Sequence, residues 1–169
     1  MALKIKGWHI IGVIFTIILG TLLHFTYEWS GKNVLVSGFS AINESTWEHL
    51  KLIFFPMLIF SIFEYFAYGK QLSNYVPVKV LSLIIGMIAI VVIFYTYSGI
   101  FGKNYLVADI ATFFISTLIA YFFSYKQLQM KNFSSSYEKQ IFTVVIILLI
   151  LFFIVFTFYP PHLEIFKSS

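Results

Sequence analysis

The stretch Phe39–Pro56, FSAINESTWEHLKLIFFP, sets Glu44, Glu48 and His49 within six residues, directly before a long apolar run. His24 and Glu28 close the preceding apolar run; at four residues apart they share one helix face. His162 follows Pro160 and Pro161, and Asp109 opens a fourth apolar run. Imidazoles with carboxylates and no thiol make a donor set suited to zinc or manganese. A catalytic zinc centre takes three protein ligands, keeps one position open and can use a spare carboxylate as general base. His24, Glu28, His49 and His162 are therefore the candidate ligands, and Glu48 or Glu44 the candidate base. The same groups can instead share protons or satisfy one another.

Each group also has a plainer reading. Ser45 and Glu48 have the spacing of a capping box, in which the Ser45 side chain takes the Glu48 amide and Glu48 returns the bond. Glu44 would favour the same positive helix end. Capping leaves His49 unexplained. It lies about 100° round the helix from Glu48, so convergence requires Asn43 and Glu44 to belong to the loop before the helix. That loop is apolar in VLV and SGF, which suits a segment dipping over the bundle. Ser45 beside His49 reads as a cap before it reads as a nucleophile. No HExxH, Gly-rich phosphate loop or G-x-S-x-G elbow is present. Glu64 is expected to pair with a lysine or a tyrosine hydroxyl in a structural role.

The elements that must hold these groups are membrane helices. Of 169 residues 60% are hydrophobic and only 11% charged, with mean hydropathy +0.91, too few charges for a soluble globule. The absence of cysteine excludes disulfides and thiol chemistry. Five runs reach the roughly 20 residues that a bilayer core requires: Trp8–Trp29, Ser45–Tyr68, Val76–Tyr97, Tyr105–Tyr125 and Gln140–Tyr159. Most end in Trp or Tyr, as interfacial positions do. The first is too long for a cleaved signal and lacks a cleavage pattern. No internal repeat or long linker appears, so the expectation is one all-α domain over 1–169, an integral membrane bundle of five helices.

Lysine placement orients it. With the amino terminus inside, Lys4, Lys6, Lys70, Lys79, Lys126, Lys131 and Lys139 fall inside, against Lys32, Lys51, Lys103 and Lys167 outside. An odd number of spans places the carboxyl terminus outside. Most acids and histidines then gather at the external interface, where ionisable groups mark function unless they are cheaply solvated. Glu164 and Lys167 take the solvated reading.

The run HFTYEWSG…FSAINESTWEHLKLIFFPML, with TFYPPH near the end, resembles a family of small bacterial membrane proteins. Its signature, Asn-Glu-Ser-x-Trp-Glu-His-x-Lys, is matched by Asn43, Glu44, Ser45, Trp47, Glu48, His49 and Lys51. The resemblance implies a multi-pass protein of the bacterial cell membrane and the importance of these positions; it carries no activity. After the second proline the family pattern runs His-x-Pro-Leu-Phe, where this chain has PPHLEIF.

Two function classes follow. One is a metal-dependent hydrolase or transferase acting on a lipid or lipid-linked molecule at the outer interface. The other binds or moves an ion or small solute, or protects the membrane, without catalysis. The middles of spans three and five hold no ionisable group, which counts against a proton-coupled carrier. Membrane lipid is the expected partner. The net charge of +4 gives no nucleic-acid signal.

Overall fold

In lipid a segment must satisfy its own backbone polar groups, and an apolar run of twenty residues does so as a helix. The computed structural model describes residues 2–130 and 135–168. Within them lie five long helices: α1 (Ala2–Trp29), α3 (Thr46–Ala67), α4 (Tyr75–Phe101), α5 (Leu106–Gln127) and α6 (Ser136–Phe158). A single-turn helix, α2 (Val34–Ser37), lies in the first connection. All five long helices are long and apolar enough to cross a membrane, which suits a multi-pass protein. Lys131 lies outside the described residues.

Three helices run longer than the apolar runs predict. α1 starts earlier because Ile5 is buried and Lys4 donates to the Ala67 carbonyl at 2.9 Å. α4 runs on to Gly102, whose φ of 69° ends it in the left-handed conformation glycine favours. α6 starts earlier because Ser135 and Glu138 form a complete capping box.

α3 is the hub, packed against α1 and α4; α5 packs on α1 and α4, and α6 on α4. Leu50, Ile53, Phe54 and Met57 of α3 meet Leu83, Met87, Ile90, Ala120, Tyr121 and Phe153 in the main core. Gly20 sets the α1–α3 approach. A Cβ there would fall 2.4 Å from the Leu52 carbonyl oxygen, so only glycine fits. That carbonyl is the one Pro56, lacking an N–H, cannot bond, which leaves it facing α1.

The two ends of the bundle differ. Where α1 begins and α3 ends, Glu64 is buried with Lys79, accepts from the Tyr68 hydroxyl at 2.7 Å and lies 3.5 Å from His9 Nδ1. His9 meets the Ser124 hydroxyl at 3.0 Å. Glu64 therefore has both the lysine and the tyrosine partner its sequence position suggests. At the other end, the tail after α6 folds back: Ser168 forms an isolated antiparallel bridge with Ser45, and Phe166 packs 4.9 Å from Trp47.

Candidate metal centre

Gly20 and His24 are one turn apart on α1, as are Ser45 and His49 at the start of α3. The close approach at Gly20 thus brings the two imidazoles together, with ring centroids 5.3 Å apart. Glu44, in the loop just before α3, reaches both. Its Oε1 lies 3.9 Å from His24 Nε2 and its Oε2 3.4 Å from His49 Nε2. One ligand atom from each of the three lies within 4.8 Å of the others, a grouping that could hold a metal ion. Two ligands about 2.1 Å from a tetrahedral ion lie roughly 3.4 Å apart, so the spacing fits.

The tautomer supports the same reading. His49 Nδ1 lies 2.9 Å from the Ser45 carbonyl, which can only accept, so Nδ1 carries the hydrogen. Nε2 then faces the Glu44 carboxylate, placed either to ligate an ion or to donate in an ordinary ion pair. A ligating histidine is commonly fixed through its other nitrogen in this way. His24 lacks that support: its Nδ1 is buried without a hydrogen-bond partner among the described residues. The Glu44 side chain is 61% exposed, so the group opens outward.

Glu48 and Lys51 point elsewhere. Lys51 is fully buried and donates to Glu48 Oε2 at 2.7 Å and to the carbonyls of Ser37 at 2.8 Å and Ser40 at 3.4 Å. Glu48 Oε2 also accepts the Ile42 amide at 3.0 Å, and Oε1 the Thr157 hydroxyl at 3.3 Å. The pair ties the α1–α3 connection to α3 and α6. Glu48 thus stands apart from the open group in which the sequence reading sought a base. The capping box at Ser45 forms by half: Ser45 Oγ accepts the Glu48 amide at 3.4 Å, but the returning bond to the Ser45 amide comes from Asn43 Oδ1 at 2.9 Å. Asn43 and Glu44 do lie in the loop, as convergence required.

The other candidates do not join the group. Glu28 pairs with Lys32 at 3.7 Å, both exposed, because Lys32 offers a charge at the same four-residue spacing as His24. His162 is exposed in the tail. Asp109 accepts from the Tyr97 hydroxyl between α4 and α5. Trp47 faces away from His49, its ring 4.8 Å from Phe153 and 5.6 Å from Phe156. Thr157 and the backbone of Ser37, Ser40 and Ile42 were not singled out by the sequence. The i, i+3 spacing of Glu48 and Lys51 was its one available hint of this knot.

A family model described as a family of unknown function (DUF6512) matches residues 1–169, and the chain belongs to that family. Among curated proteins and solved structures nothing matches.

Proposed function

We propose that this member of a family without assigned function is a membrane metalloenzyme, in which His24, Glu44 and His49 hold a divalent ion, zinc or manganese. The reading rests on one observation: three ligand atoms from α1, the loop and α3 lie within 4.8 Å of one another on an open face. Two imidazoles, one carboxylate and an open position are the composition of a catalytic centre, whereas closed four-ligand sets are structural. Bound there, the ion would supply a Lewis acid and a water acidic enough to attack at neutral pH. Hydrolysis or group transfer on a lipid or lipid-linked substrate is the reaction class that suits a group at the end of a membrane bundle.

The same reading places the protein in the bacterial cell membrane, amino terminus inside and the metal group at the outer interface. Lys51 and Lys79 are buried in ion pairs and drop out of the charge count. Lys4, Lys6, Lys70, Lys126 and Lys139 remain at the Glu64 end, against Lys32, Lys103 and Lys167 at the Glu44 end, which supports that orientation.

A second reading, in which the ion is cargo, is favoured by α5. Its buried face is largely hydroxyl, with Thr112, Ser116, Thr117, Tyr121 and Ser124 between the two polar ends. Zinc-65 uptake into proteoliposomes separates the two: the enzyme reading expects none.

Metal analysis of purified protein tests the centre. Wild type is expected to retain about one ion per chain after loading and washing. His24→Ala, His49→Ala and Glu44→Gln lose it, while Glu28→Gln and His162→Ala keep it. Retention by both histidine variants ends the proposal.

A further inference from the structure

The connection from α1 to α3 runs back down the bundle instead of across its end. Gly31 and Lys32, with φ of 68° and 62°, reverse the chain directly after Trp29. Ser40 Oγ accepts the Tyr27 amide at 3.0 Å and donates to the Leu23 carbonyl. Ala41 packs with Leu23 and Leu52. Leu23 and Leu52 each lie six residues inside their helix, about 9 Å from its end at 1.5 Å per residue. The Phe39 ring lies 6.5 Å from Phe55, deeper still in α3. Irregular backbone at such depth needs protein partners for its polar groups. The buried Glu48–Lys51 pair provides them at Ser37, Ser40 and Ile42.

After the exposed polar turn at Ser30, Lys32 and Asn33, the side of this connection turned away from the bundle is apolar. Val34 is 66% and Leu35 82% exposed, and Phe39 is exposed as well. α2 rests on α1, whose exposed large apolar residues at this level are Leu22, Phe25 and Trp29, with Glu28 exposed beside them and paired to Lys32. In water the segment from Val34 to Phe39 would be expected to turn polar side chains outward. We infer that residues 30–42 form a re-entrant element set into the headgroup–acyl boundary, with Val34, Leu35 and Phe39 among lipid chains. The partner of this surface is the lipid bilayer itself. Taken with the metal reading, on which this last step rests, the molecule that reaches Glu44 is a lipid headgroup arriving from the bilayer and not a solute arriving from water.

The chain has no native cysteine, so single nitroxide labels can be placed without background. In proteoliposomes of phosphatidylethanolamine and phosphatidylglycerol, labels at Val34 and Leu35 should collide more with oxygen than with a water-soluble nickel chelate. A label at Lys103, in the α4–α5 turn, should show the reverse. Independently, Leu35→Trp should be quenched by lipids brominated near the top of the acyl chain. Chelate collisions dominating at both Val34 and Leu35, or absence of lipid quenching, overturns the inference. Metal content of the same samples separates the two ideas, because Leu35 contacts no ligand. Lipid exposure without metal retires the metal centre alone, and metal without lipid exposure retires the re-entrant element alone.

Discussion

Replacing Lys51 by methionine removes one charge and three hydrogen bonds from a site that water does not reach. In the folded chain its Nζ meets Glu48 Oε2 and the carbonyls of Ser37 and Ser40. Methionine fills much of the volume but donates nothing. The Glu48 carboxylate, 2% exposed, keeps only the Ile42 amide and Thr157, and two loop carbonyls lose their donor. Breaking a buried pair by deleting one partner costs about 3–5 kcal/mol. Each carbonyl left unsatisfied adds about 1–3 kcal/mol unless the loop moves to water. Loop movement caps the total near the first figure, equivalent to a fall in Tm of roughly 6–20 °C for a chain of this size. Thermal unfolding in detergent, followed by tryptophan fluorescence from Trp47 and its neighbours, reads it. Adding Glu48→Gln should return part of the loss, because glutamine is neutral yet still accepts the Ile42 amide. A single variant within about 1 kcal/mol of wild type, a shift under roughly 3 °C, would refute the reasoning. So would a double variant whose loss is the plain sum of the two singles.

At the opposite end, Lys79→Met leaves the buried Glu64 with Tyr68 and His9 alone and should cost up to about 3–5 kcal/mol in the same assay, while metal content stays at the wild-type level. A loss of metal there would show that the ends are coupled. Cysteines at Lys32 and Lys70 test the orientation: an impermeant thiol reagent added to intact cells should label the first and spare the second. The opposite pattern inverts the topology.

Much of the fold was legible because membrane helices announce themselves by length and hydropathy. The Ser45 cap, the loop position of Glu44 and the pairing of Glu64 with a lysine or a tyrosine were legible too, since each follows from local spacing or from the cost of a lone buried charge. The partner of Glu28 was not. His24 and Lys32 stand four residues to either side of it, and periodicity treats them alike. Glu48 was misleading for a different reason. Its S-x-x-E spacing points to the Ser45 amide, but Asn43 reaches that donor from within the loop, and Glu48 turns to Lys51 and Ile42. The apolar VLV and SGF of the α1–α3 connection suggested a segment dipping over the bundle, but not its partners. How far it descends, with Ser40 and Ala41 against Leu23 and Leu52, has no local signal. His162 depended on where the tail goes after α6, which no helix pattern specifies.

The bridge between Ser45 and Ser168 has a consequence in time. The two residues are 123 positions apart (168 − 45), and the segment holding Ser168 reaches Ser45 only after α4, α5 and α6 have been made. At about 5–20 residues per second, a ribosome needs roughly 6–25 s to cover that interval. Through most of it, Trp47 has yet to meet Phe153 and Phe166. The nascent chain therefore carries an unfinished aromatic edge beside its most polar residues for many seconds.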